Sequence, residues 1–329
     1  MKAAVYHGPR DIRVEDIPAP AVGDNEVLVR VRACGICGSD LHMYRLGMFE
    51  VLGRPAGGGR VMGHELSGEV VAMGPRVGGF RVGDRITGVS VGGFAEYVAV
   101  PLDARGPHLL PAGVSFEEGA TVEPLATSLH AVRLAAPRPG ETVVVLGAGI
   151  IGLGCLQVLR ATVACRVLVV DASDRRLALA RSLGADETVN LTGVDPLDAV
   201  IELTGGPRPI ERFGVRGGNA DAVIDCAGAP RSPNQGLHML KQTDGRLVLV
   251  ALFEQAPQLD FNQVVRKQVT LQGSWTWTYE DFREAIALIE SGRLDRRCLI
   301  SHRFPLADAP TAFATQADPD AAVKVLITP

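Results

Sequence analysis

The chain has 329 residues, 47% of them hydrophobic and 21% charged, with a net charge of −4. That length exceeds a single compact core and points to two domains. The near-neutral charge gives no electrostatic footing for nucleic acid or an anionic membrane, and with 5% aromatic residues there is little to stack bases on.

Along the first ~125 residues the pattern is β-rich. Residues 27–33 partly alternate between apolar and charged, and 69–74 and 94–100 are further short strands set apart by Gly and Pro clusters. After Pro139-Gly140 the texture changes. Apolar runs at Thr142–Leu146, 166–170, 222–224 and 246–250 alternate with helical patterns, as in a parallel sheet covered on both faces. Residues 142–159 carry no charge, but four glycines interrupt them and the first five favour a strand, so strand, turn and helix are expected there rather than a membrane span. Thr278-Tyr279-Glu280-Asp281 opens a helix with an acid three residues after its cap. Phe282, Ile286 and Ile289 then share a face, and Gly292 stands where the helix stops. The last strand is expected over 322–327, so the chain's end completes a first domain that the parallel sheet interrupts.

Gly147-Ala148-Gly149-Ile150-Ile151-Gly152 follows one expected strand and opens a helix, and the next strand ends in Asp171. This is the full context of a dinucleotide-binding turn. Its glycines permit a tight turn and a close approach of backbone to pyrophosphate, and the helix N-terminus offers free N–H groups. The Asp171 carboxylate suits two ribose hydroxyls and repels a 2′-phosphate, which favours NAD over NADP. Arg175 and Arg176 follow closely and could neutralise a phosphate, which pulls the other way.

Cys34-Gly35-Ile36-Cys37 is half of a zinc ribbon whose other half is missing. Cys37, His64, Glu65 and Glu123 together offer a thiolate, an imidazole and carboxylates, a set that suits catalytic zinc. Read without a metal, the same residues are a buried thiol, a core histidine and a surface acid. The six cysteines (34, 37, 155, 165, 226, 298) are too sparse for a disulfide scaffold. The N-terminus has no apolar leader, so a reducing, cytoplasmic location is expected.

The run Cys34-Gly35-Ile36-Cys37-Gly38-Ser39-Asp40-Leu41-His42, the Gly63-His64-Glu65 triplet and the Gly147–Gly152 turn together resemble the zinc-containing medium-chain dehydrogenases, nearly end to end. Val122-Glu123-Pro124-Leu125-Ala126 resembles their polyol and threonine dehydrogenase branch. The resemblance implies a GroES-like β-rich catalytic domain (1–124 and 277–329) and a doubly wound Rossmann domain (125–276). It implies one catalytic zinc per subunit, held by Cys37 and His64 with Glu65 and Glu123 sharing the remaining positions, and Asp40 orienting His64. Ser39 and His42 match a proton relay, with Glu65 also at the catalytic centre. Gly147, Gly149, Ile151, Gly152, Asp171, Arg176 and Lys324 are the expected cofactor contacts, Lys324 either through a phosphate or, read without a cofactor, as a plain exposed strand lysine. The activity implied is hydride transfer from a secondary alcohol or polyol to NAD, by a homodimer or homotetramer acting on a small molecule. An L-threonine 3-dehydrogenase, a zinc-free quinone or enoyl reductase and a non-catalytic NAD(H)-binding protein are the rivals.

Two departures stand out. No cysteine occurs from 38 to 154, so the four-cysteine lobe that binds a structural zinc in many relatives is missing. Residues 205–221 are longer than usual, with Pro207, Arg208, Pro209, Arg212 and Arg216, and read as a surface loop or as a lip or subunit contact. Phe49, Trp275 and Trp277 are candidates for shaping the substrate end.

Overall fold

A computed structural model describes residues 1–48, 60–103, 106–205 and 217–329. Phe49 and residues 206–216, with their prolines and arginines, lie outside the described residues.

Alternation builds the first unit. In β3 (Glu26–Gly35), Val27, Val29, Val31 and Ala33 are buried while Arg30 and Arg32 are exposed. Before β3 come β1 (Lys2–Gly8) and β2 (Asp11–Asp16), and after it α1 (Gly38–Leu46), β4 (Arg60–Val61), β5 (Glu65–Met73), β6 (Arg85–Val89), β7 (Tyr97–Pro101), β8 (His108–Leu109), α2 (Phe116–Gly119) and α3 (Val122–Ala135). The sequence suggests a strand from residue 94, but the strand paired with β3 begins only at Tyr97, and Ala95 forms a lone bridge with Ala3 of β1. Residues 94–96 instead tie themselves to other segments, because their N–H and C=O groups reach Met62, Lys2, Ala4 and Val31.

The second unit takes in most of α3, and its sheet begins with a β-branched run, β9 (Thr142–Leu146), whose last four residues are buried. It continues with α4 (Ile150–Thr162), β10 (Arg166–Asp171), α5 (Asp174–Ser182), β11 (Glu187–Asn190), α6 (Pro196–Leu203), β12 (Ala222–Asp225), α7 (Ser232–Met239), β13 (Arg246–Leu249), α8 (Phe261–Lys267) and β14 (Thr270–Gly273). The six strands pair in parallel in the order β11-β10-β9-β12-β13-β14. The winding direction therefore reverses between β9 and β12, whose carboxyl ends are where open parallel sheets bind their ligands. Strand β11 escapes notice in the sequence, since only Val189 of its four residues is buried.

The chain then returns to the first unit with α9 (Tyr279–Glu290), β15 (Ile300–Pro305), α10 (Ala309–Ala317) and β16 (Lys324–Thr328). Helix α9 starts as its sequence implies: Thr278 Oγ1 accepts from Asp281 N at 3.2 Å, and Thr278 N donates to Asp281 Oδ2 at 2.8 Å. Strand β16 runs antiparallel against β3, and the sheet order is β15-β16-β3-β5-β6-β8, with β7 also on β3. The two compact units are Met1–Ala126 with Thr278–Pro329, and Thr127–Trp277. No helix among the described residues is long and apolar enough to cross a membrane.

Candidate metal centre and cofactor loop

Strand β3 delivers the CxxC pair to its end, and the two cysteines part there. Cys34 is fully buried, and burial pushes its thiol well above the usual range, so it stays a neutral, hydrophobic filler. Cys37 becomes the N-cap of α1. Asp40 closes that cap, its Oδ2 accepting from Cys37 N at 2.9 Å, while its Oδ1 accepts from Gly63 N at 3.3 Å. One buried carboxylate thus ties the backbone beside Cys37 to the backbone beside His64. The sequence suggests that Asp40 orients the His64 ring; the hydrogen bonds go to the two backbones, and its charge acts on the imidazole from nearby.

The Cys37 thiol, the His64 imidazole and the Glu65 carboxylate bring donor atoms within 4.8 Å of one another. Burial works against charge on His64, but the Cys37 sulfur, which is hydrogen-bonded to it, and the Asp40 and Glu123 carboxylates prevail and raise its pKa well above the ordinary value. Burial likewise lifts the Asp40 pKa, against the pull of His64 and of two backbone N–H groups. Sulfur, nitrogen and carboxylate oxygen around one point, with surplus negative charge, is a donor set that fits zinc. Glu123, in the first turn of α3, acts on the cluster through His64.

Lys324 is a correction. The sequence puts it at a cofactor phosphate or on an exposed strand; in the structure it is fully buried. Its Nζ is in an ion pair with Glu65 Oε2 and donates to Ile36 O at 2.8 Å. Gly35 makes room for that pair, since a Cβ there would sit 2.3 Å from Glu65 Oε2. Nothing in the local sequence signals the pair, because its partners come from opposite ends of the chain.

Ser39 and His42 are both partly exposed and lie three residues apart on α1, hence on one face of it.

In the second unit, the glycine turn joins β9 to α4. Gly147 has φ +89°, and a Cβ there would meet Ala227 Cα at 2.9 Å. At Gly152 a Cβ would fall 1.8 Å from Gly147 O, so only glycine lets α4 start so close to the strand. Gly149 is the N-cap of α4, with no side-chain cap, and a Cβ there would meet nothing nearer than Arg176 Nη1 at 4.0 Å. An open glycine at an uncapped helix start is a cradle that fits a pyrophosphate. Ile151 stands in the first turn, its carbonyl accepting from Ser128 Oγ at 3.0 Å. The Asp171 carboxylate faces the turn, accepting from Ala148 N at 2.6 Å and from Ser173 N at 2.8 Å. The switch point adds Cys226 and Ala227, on which Gly147 packs; the Asp-Cys-Ala-Gly run after a short apolar strand was the signal for them. Trp275, just past β14, is 66% exposed, and Trp277 is partly buried.

Residues 23–111 match the alcohol dehydrogenase GroES-like domain, and residues 151–291 match the zinc-binding dehydrogenase family. The sorbitol dehydrogenase of Rattus norvegicus is 33% identical over 98% of this chain and 94% of its own length. That of Halalkalibacterium halodurans is 31% identical over 100% of this chain and 99% of its own. Among solved structures, the 2R,3R-butanediol dehydrogenase of Bacillus subtilis superposes with a TM-score of 0.86 at 30% identity, covering 100% of this chain and 99% of that one. End-to-end likeness at this level, with a metal-type donor cluster in one unit and a dinucleotide turn in the other, means that the chain belongs to the zinc-containing medium-chain dehydrogenases.

Proposed function

We infer that this protein is an NAD-dependent dehydrogenase of secondary alcohols, with linear polyols and vicinal diols as its preferred substrates. The observation that carries this reading is the convergence of Cys37, His64 and Glu65 within 4.8 Å, beside the helix that bears Ser39 and His42. The names of the relatives, which act on sorbitol and on 2R,3R-butanediol, support the substrate class.

Cys37, His64 and Glu65 would hold the metal, with Glu123 next to His64 as a further carboxylate. When bound, zinc supplies Lewis acidity to an alcohol oxygen and NAD accepts a hydride. The chain's own residues do the rest. The Ser39 hydroxyl would accept the substrate's proton as it gives up its own, and the His42 imidazole, on the same face of α1, would pass the proton outward. Asp40 keeps the Cys37 and His64 backbones in register. Gly149 and the first turn of α4 receive the pyrophosphate, and Asp171 accepts from the adenosine ribose, for which NAD is the better fit than NADP. Arg176 flanks that end.

The lobe-free link from β6 to β7 leaves one zinc per subunit. At the sheet edge, β14 has three exposed residues of four, with Phe261 and Val265 exposed on α8 nearby in sequence, which supports pairing with a second copy as a dimer or tetramer. The described cysteines are all free thiols, as in a reducing, cytoplasmic setting.

The test is a panel of sorbitol, 2,3-butanediol, simple secondary alcohols and L-threonine with NAD and NADP, run with metal quantitation. Turnover of a polyol or diol with NAD and about one zinc per chain is expected. Turnover of L-threonine alone, or full activity in metal-free protein, would refute the reading.

A further inference from the structure

The segment that bears His64 is not part of a strand. Met62-Gly63-His64 lies between β4 and β5, so its backbone groups need partners from elsewhere. They come from the link between β6 and β7. Gly92 N and Gly93 N both donate to Gly63 O, at 3.0 and 2.9 Å, and Phe94 N donates to Met62 O at 3.1 Å. With Asp40 holding Gly63 N, the peptide groups just before His64 are held on both sides.

Side chains finish the grip. Gly63 has φ +84°, and a Cβ on it would strike the Phe94 ring at 2.8 Å. Phe94 is fully buried, and its far side meets Phe313 of α10 edge to face at 5.4 Å. Gly93 fits flush against Cys34 Sγ, which a Cβ there would approach to 2.7 Å. The link is itself anchored, since Phe94 O accepts from Ala4 N at 2.8 Å and Glu96 O from Val31 N at 3.0 Å.

We propose that Gly92-Gly93-Phe94 is a positioning strap for the metal ligand His64. It fixes the ligand's backbone by three hydrogen bonds and an aromatic floor, and so sets how long the metal stays bound. A ligand whose backbone can shift loses affinity, as it does when a hydrogen-bond partner behind a ligand is removed, by about 10–100-fold. The inference rests on the metal-site reading above and adds to it the role of a segment that touches no metal.

The test measures zinc release to a chromogenic chelator, melting temperature and NADH binding on the native protein and three variants, with zinc binding by a fourth, Cys37→Ser, measured beside them. Phe94→Leu lowers the floor, and Gly93→Ala presses on Cys34 and Gly63 without emptying the core. Val100→Ala trims an equally buried residue of the same domain, on β7, and serves as the control for lost stability. Both strap variants should release zinc about 10–100-fold faster than the native protein while binding NADH normally, and Val100→Ala should release it at the native rate despite a lower melting temperature. Native release from Phe94→Leu and Gly93→Ala would overturn the strap. So would faster release from all three variants in step with their melting temperatures. Undiminished zinc binding by Cys37→Ser would instead sink the metal-site reading and leave the strap's own result separate.

Discussion

The cofactor loop and the metal centre are built by opposite means. The loop is local: Thr142 to Asp171 covers one strand, one turn, one helix and the next strand, and the decisive residues are glycines whose missing Cβ atoms make room. The candidate metal centre is assembled: Cys37 caps a helix, His64 sits between strands, Glu65 opens the next strand, and Lys324 arrives from the last strand to pair with it. Damage to the loop should therefore weaken one ligand, whereas damage to the centre should travel through the contacts that bring distant segments together.

The sharpest way to break this contrast is at the ligands. Cys37→Ser and His64→Ala should each lose zinc and at least about 10³-fold in turnover, since metal assistance is worth several kcal/mol, while NADH titration stays native. Loss of NADH binding in either variant would show that the two sites are not separable.

His42→Ala comes next. Zinc should remain bound, with turnover at neutral pH down by about 10²-fold or less, and the defect should shrink as pH rises because hydroxide replaces the relay. A pH–rate profile with zinc measured on the same sample decides it, and loss of zinc would make His42 a ligand or a prop.

On the local side, Asp171→Ala removes an acceptor that also binds Ala148 N and Ser173 N. The NAD KM should rise by about 10-fold, as for losing charge-assisted hydrogen bonds, and the preference against NADP should relax. A native enzyme that already prefers NADP would contradict the role given to Asp171.

The smallest effect leaves turnover at neutral pH unchanged and concerns how the split domain is closed. His108 of β8 stacks on Phe282 at 4.5 Å and lies 4.9 Å from Tyr279, both from the returning segment. Burial, with Arg283 nearby, lowers its pKa to about 4 from 6.5. The folded state thus prefers the neutral ring, so stability is full above pH 6.5 and declines as pH falls from 6.5 toward 4. From pH 7.5 to 5 the loss is about 2 kcal/mol from this group. His108→Phe should flatten that slope in denaturant titrations, and an unchanged slope would remove His108 from the account.

Much of this was legible in advance. The four apolar runs of the parallel sheet, the α9 cap at Thr278 and the glycine turn appear where their residues indicate, because each depends on side chains within a few positions of one another. Strand β11 was not legible, being short and mostly half-exposed, nor was the turning of residues 94–96 toward β1 and Met62, with the Phe94 ring packed under Gly63.

The sequence by itself determined the family, the dinucleotide turn and the residue types of the metal set, since those are properties of spacing and of missing side chains. Only the tertiary structure decided how deeply the Cys34 thiol is buried, where the Lys324 ammonium goes, and what holds the backbone just before His64. Each of those depends on strands paired across long stretches of chain, and burial then settles the matter: a charge or a peptide group taken out of water must find its partner wherever the fold places one.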